Sequence, residues 1–181
     1  SSDWSSDVCS SDLVLLNKVI QLNYDKIVGI TIGGSEHLYP PTQFEKVYDI
    51  ARQNNLKLSV HAGEACGAES VWGALKALKP DRIGHGVRAI EDPDLVQFLA
   101  KEQIPLEVCL SSNICTSVFD SYEKHSVKKL LHAGIAVTIN TDDPAFFNTT
   151  LIDEYAKLYK LGITCKELFR LIENGFKYSF L

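Results

Sequence analysis

An imidazole and a carboxylate, His61 and Glu64, stand three residues apart in Ser59-Val60-His61-Ala62-Gly63-Glu64, directly after the apolar run Leu56 to Val60. In an extended turn that spacing aims both side chains into one cavity, and Gly63 lets the backbone bend sharply between them. Two further apolar runs end in residues of the same kind. Arg82 to Gly84 delivers His85, and Ile135 to Ile139 delivers Asn140-Thr141-Asp142-Asp143-Pro144. A polar rim or a helix-capping turn would explain any one of these residues alone. Together, His61, His85, Asp142 and Glu64 offer the imidazole and carboxylate ligands of an open catalytic zinc site, not the thiolates of a closed structural one. Zinc lowers the pKa of its water from about 15.7 to about 7, which supplies a hydroxide nucleophile at neutral pH, and Glu64 beside it can move protons.

Regular elements must hold these residues. Strands are expected at Ile27 to Ile32, Leu56 to Val60, Arg82 to Gly84, Leu106 to Leu110 and Ile135 to Ile139. Helices are expected at Val14 to Asn23, from the Pro40-Pro41-Thr42 turn to about Asn54, and at Ala68 to Leu78, Asp92 to Glu102, Ser126 to His132, Leu151 to Leu161 and Thr164 to Phe176. Phe44, Val47, Tyr48 and Ala51 have the spacing of one buried helical face. Strands too apolar to have a wet face, alternating with helices, imply a parallel sheet covered by helices. An open doubly wound sheet concentrates its ligand contacts near one switch point, and no G-x-G-x-x-G is present to cradle a dinucleotide. Here every strand ends in Gly, His, Asp, Glu or Asn, as in a barrel that collects its site from many strand ends. The expected fold is α/β: the C-terminal portion of a (β/α)8 TIM-type barrel, about five βα units with three strands missing.

The 181 residues carry 18 basic and 23 acidic side chains, a net charge of −5 with no basic block, which argues against nucleic acid and anionic membranes as partners. No apolar run approaches the roughly 18 residues of a membrane span. Five cysteines without a C-x-x-C pair fit a reducing cytoplasm better than a disulfide framework. The absence of methionine leads us to expect a fragment. Residues 1–13 repeat Ser-Ser-Asp three times and read as low-complexity sequence, artefactual or disordered, outside a domain expected over 14–181.

Four motifs in order, Val60-His61-Ala62-Gly63-Glu64, Ile83-Gly84-His85-Gly86-Val87, Cys109-Leu110-Ser111-Ser112-Asn113 and Asn140-Thr141-Asp142-Asp143-Pro144, resemble those of the adenosine deaminases of the amidohydrolase superfamily. The resemblance covers nearly everything from Val14 onward. It implies one zinc ion held in part by His61 and Asp142, protonation of purine N1 by Glu64, and orientation of the attacking water by His85. It further implies a contact of Asp143 with N7 and of the Gly34 backbone with N3, in hydrolysis of adenosine or deoxyadenosine to the inosine and ammonia. The implied partners are a purine nucleoside and water. Ser111-Ser112-Asn113 is read as support below the site, and His37, His125 and His132 as surface. The chain departs from the family in two places: it contains no His-x-His, the pair that supplies two further zinc ligands, and Ser35 stands where many members carry an acid. Deamination of adenine or aminodeoxyfutalosine, or non-catalytic purine binding, are the alternatives.

Overall fold

The computed structural model describes the backbone of residues 4–180 and the side chains of residues 12–180. Five strands, β1 (Gly29–Ile32), β2 (Lys57–Ala62), β3 (Arg82–His85), β4 (Leu106–Val108) and β5 (Val137–Ile139), form one parallel sheet in chain order. Sequential order with every pair parallel requires a crossover after each strand, and the helices α2 (Glu45–Gln53), α3 (Ala68–Ala77), α4 (Pro93–Glu102) and α6 (Val127–His132) provide them. Their apolar sides bury Val47, Tyr48, Ala51, Val71, Ala74, Leu95, Leu99 and Leu130 against Leu58, Val60, Ile83, Leu106, Val108 and Val137. This is the αβ layering expected of part of a barrel wall.

The elements agree with the sequence reading with three differences. First, α1 runs Trp4–Leu22, ten residues further toward the N-terminus than expected, and takes in part of the Ser-Ser-Asp repeat. Once the apolar turns at Leu13 to Ile20 are fixed, each added residue costs little, because elongation avoids the nucleation penalty. Second, the strand expected to reach Leu110 stops at Val108, and Leu110–Cys115 forms a short helix, α5. Ser112 and Asn113 are fully buried in α5, and their side chains need polar partners that a strand would not have given them. Third, His125 is buried, 4 % exposed, where a surface position was expected. His37 and His132 are exposed as expected.

Two capped helices close the chain. Thr150 and Thr164 each form a capping box, with Asp153 opening α7 (Leu151–Lys160) and Glu167 opening α8 (Cys165–Lys177). Asn174 of α8 donates to the Val137 carbonyl of β5 at 2.8 Å, and Arg82 donates to the Tyr178 carbonyl at 3.1 Å with its guanidinium over the Phe180 ring. Glu154 of α7 is fully buried and accepts from the Ser111 amide and hydroxyl, from Thr149 and from Lys157, which ties α7 to α5. Among the described residues no helix is long and apolar enough to cross a membrane.

Candidate active site

His61 points from β2 into a slot between its neighbours. In the sheet register it lies opposite Gly84 of β3, and a Cβ on Gly84 would sit 2.5 Å from His61 Cδ2, while one on Gly33 would sit 2.9 Å from Nδ1. Two glycines thus make room for one imidazole. His85, one position beyond Gly84 and opposite Ala62, meets the His61 ring edge to face at 4.7 Å between centroids. Its backbone is left-handed at φ 61°, as is that of Asp142 at φ 59°. Such conformations are costly for residues with a Cβ and collect at functional sites.

The turn after β2 is held by Glu36. Its carboxylate, 8 % exposed, accepts from the backbone N–H groups of Gly63 at 2.5 Å, Glu64 at 3.3 Å and Cys66 at 2.9 Å. Gly63 takes φ 71°, the bend anticipated from sequence. Glu64 is thereby carried to within 3.4 Å of His85 Nε2 through its Oε2. Burial, reinforced by the charges of Asp142 and Glu36, raises its pKa to about 6 against the opposing hydrogen bonds of Asn113 and Thr116. Burial, with His61 adjacent, lowers His85 to about 4 against the attraction of Asp142 and Glu36, so the ring is neutral at pH 7. A carboxyl group with its pKa raised toward neutrality faces an uncharged imidazole.

Asp142 completes this side, with Oδ2 3.9 Å from His85 Nε2 and accepting from Ser112 Oγ at 2.7 Å. His61, His85 and Asp142 line a cavity of about 360 Å³ together with Glu107, Cys109 and Leu151. Burial first, then the surrounding carboxylates, push the Cys109 thiol far above the usual range. The donors of His61, Glu64 and His85 lie within 4.8 Å of one another, and Asp142 adjoins them. Two imidazoles and two carboxylates are a nitrogen and oxygen donor set of the kind zinc accepts.

Beneath these groups Asn113 donates to Glu64 Oε1 at 3.1 Å and contacts His85 Nδ1 at 3.3 Å, while its Oδ1 lies 3.2 Å from His125 Nε2. His125 Nδ1 accepts from the Val127 amide at 3.0 Å, and burial lowers the pKa of this ring to about 4.

The structure therefore brings His61, Glu64, His85 and Asp142 together. Asp143 and Gly34 stand apart from that cluster. The Asp143 carboxylate accepts from the Phe146 amide at 3.0 Å and caps its own turn, and Gly34, at φ 132°, lies on the rim of a separate depression of about 280 Å³ that also touches His61. Sequence reasoning missed Glu36 and His125 as contributors. Glu36 carries no local mark of this role, since the amides it binds belong to the turn after β2. Asn113 and Ser112, read as lying below the site, touch Glu64, His85 and Asp142 directly.

A parallel α/β half-barrel wall with imidazoles and carboxylates at its strand ends defines the class of barrels that gather a site at the C-terminal ends of their strands. The comparisons narrow this. The family model described as adenosine deaminase matches residues 3–181, and the chain belongs to that family. It is 41 % identical to an adenine deaminase of Rhizobium meliloti over 86 % of this chain and 48 % of that protein. It is 43 % identical to an adenosine deaminase of Erwinia tasmaniensis over 87 % and 48 %. The crystal structure of an adenine deaminase from Arthrobacter aurescens superposes with a TM-score of 0.92 at 35 % identity, covering 96 % of this chain and 53 % of that one. An Arabidopsis structure complexed with IMP superposes at 0.85 with 27 % identity, covering 96 % and 50 %. The chain spans about half the length of these relatives, which are TIM-barrel amidohydrolases.

Two outcomes follow from the packing. Gly84→Ala forces the His61 ring to shift and costs about 1–3 kcal/mol as an overpacked contact; a urea midpoint equal to that of the unmutated protein would contradict the slot. For His125, the unfolded chain takes up a proton near pH 6.5 and the folded one only near 4. Its stabilising contribution is therefore complete above about 6.5 and is lost as pH falls toward 4, at about 1.4 kcal/mol per unit. Urea unfolding at several pH values should show a shallower acid slope for His125→Gln than for the unmutated protein, and equal slopes would contradict a buried neutral ring.

Proposed function

We propose that this chain carries the C-terminal part of the site of a zinc-dependent hydrolytic deaminase acting on a 6-aminopurine. The observation that supports the reading most is the facing pair Glu64 and His85, 3.4 Å apart, with a carboxyl raised to about 6 beside a neutral imidazole. Attack at C6 of an aminopurine needs a proton at ring nitrogen N1, which breaks the aromaticity and makes C6 electrophilic, and a nucleophile on the same carbon. Glu64 delivers the N1 proton. His85 orients the attacking water through Nε2 and the water oxygen bonds to C6; of the two protons the water gives up, one returns to the Glu64 carboxylate and the other passes to the amino group, whose bond to C6 breaks as ammonia leaves. His61 and Asp142 are the residues we assign to zinc, with Glu64 and His85 inside the same donor cluster. When bound, the cation lowers the pKa of a water it holds to about 7. Asp143 is assigned to purine N7 and the Gly34 backbone to N3; for the first, its carboxylate must share or release the Phe146 amide.

On the substrate, α5 opens with Leu110-Ser111-Ser112-Asn113. Two of these residues contact Asp142, Glu64 and His85, the groups common to any 6-aminopurine reaction, so they do not select for ribose. Relatives carry both names, adenine and adenosine deaminase. Adenine is therefore tested beside adenosine, deoxyadenosine and aminodeoxyfutalosine, by ammonia release from a chimaera that joins residues 14–181, the proposed domain, to the first half of an adenine deaminase relative. Turnover of none of the four would overturn the reading. The second reading is a purine-binding module without catalysis. Binding of adenine by zinc-loaded chimaera without turnover would select it. The remaining proposals are a cytoplasmic location and water as the second substrate.

In that chimaera Glu64→Gln keeps the shape of the side chain but cannot deliver the N1 proton, and kcat should fall about 10²–10⁴-fold at unchanged zinc content. Turnover within a few-fold of the parent would remove Glu64 from the role. The adjacent aspartates separate by assay. Asp142→Ala should lower zinc content, whereas Asp143→Ala should keep zinc and lose catalysis and purine affinity. Metal analysis showing the reverse would exchange their assignments.

A further inference from the structure

We propose that His125 is a positioning residue for the reacting pair: acting through Asn113, it holds His85 in the tautomer that carries its proton on Nε2. The proposal rests on the reading of Glu64 and His85 as the reacting groups.

The argument starts from a donor whose role cannot change. The Val127 backbone N–H donates to His125 Nδ1 at 3.0 Å, so that nitrogen bears no proton, and the neutral ring must carry its proton on Nε2. Nε2 lies 3.2 Å from Asn113 Oδ1, and the contact is therefore N–H···O=C. This settles which end of the Asn113 amide faces His125. The amide nitrogen is turned the other way, where its two hydrogens meet two acceptors, Glu64 Oε1 at 3.1 Å and His85 Nδ1 at 3.3 Å. His85 Nδ1 accepts, so its single proton sits on Nε2, facing Glu64 Oε2 at 3.4 Å and Asp142 Oδ2 at 3.9 Å. Reversing the amide would set Asn113 Oδ1 against a carboxylate oxygen and the His125 N–H against an NH₂ group. Both ends would then be repulsive. His85, Asn113 and His125 are 2 %, 0 % and 4 % exposed, so solvent offers little substitute for a lost partner, and each link constrains the next. Phe119, whose ring centroid lies 4.5 Å from that of His125, packs against the ring that anchors the series.

Long-range ¹H–¹⁵N correlation spectra of the histidine-labelled, metal-free protein at pH 7 identify the protonated nitrogen of each ring without substrate or turnover. The expected result is a proton on Nε2 of both His125 and His85; a proton on Nδ1 of His85 overturns the proposal. His125→Phe removes the link and should lower the Nε2-to-Nδ1 proton ratio at His85 by up to about tenfold, the worth of one hydrogen bond of about 1.4 kcal/mol. His125→Gln, which keeps an N–H donor for Asn113, should restore the ratio. An unchanged ratio in folded His125→Phe overturns the assignment. Should that variant not fold, Asn113→Asp substitutes an acceptor for the amide nitrogen and should move the His85 proton to Nδ1; its retention on Nε2 overturns the assignment equally. Because the tautomers are read without substrate, failure to deaminate any purine counts against the function proposed above and not against the role of His125.

Discussion

Parallel pairing in one fixed register is the constraint on which the site depends. His61 is opposite Gly84, which leaves room for its ring, and His85, one residue further along β3 and turned by its left-handed backbone, meets that ring edge to face. On the other side, Val108 pairs with Ile139, which puts Ser112 and Asp142, each a few residues beyond its strand, within hydrogen-bonding reach. A slip of one residue in either ladder would turn the alternating side chains to the opposite face and separate these groups. The buried aliphatic residues of β2, β3, β4 and β5 oppose such a slip, because it would expose what the helices now cover.

Register alone leaves the side chains free to rotate, and buried polar groups remove that freedom. Glu36 gathers three backbone amides of the Gly63 to Cys66 turn, Ser112 fixes Asp142, and Asn113 holds Glu64 and His85 at once. These partners come from the ends of β1 and β4, so the turn after each strand braces a reacting group belonging to another. The left-handed backbone at His85 and Asp142 persists because this surrounding network and the sheet determine their positions. The same burial that rigidifies the cluster separates its titrations, raising the Glu64 carboxyl and lowering the His85 imidazolium.

Much of this was legible in the sequence because it resides in local pattern. Apolar runs such as Leu56 to Val60 announced buried strands, and a polar residue after each run announced the side of the sheet where chemistry collects. The family resemblance rested on His61, Glu64, His85 and Asp142, and these four are what the fold assembles. What was not legible depends on contacts between distant segments. His125 carries no local mark of burial; only the packing of α6 and the loop before it against α5 shows that both its ring nitrogens are engaged. Glu36 looked like one more acid in a loop, since its three amide partners lie 27 to 30 residues away. The α5 helix was hidden because its first residue, Leu110, continues the apolar pattern of the strand before it, and the serines that follow find their partners in distant segments.

The central claim is that these strand ends form part of a zinc site with His61 and Asp142 as ligands. Titration of Zn²⁺ into the protein against a chromophoric competitor tests it most directly. Half of a four-ligand shell retains on the order of 5–8 kcal/mol of the roughly 10–16 kcal/mol of a full one, which corresponds to a dissociation constant of about 10⁻⁴ to 10⁻⁶ M. The account predicts one zinc per chain in that range, with binding lost in His61→Ala. No binding at millimolar zinc, or undiminished affinity in His61→Ala, would contradict it.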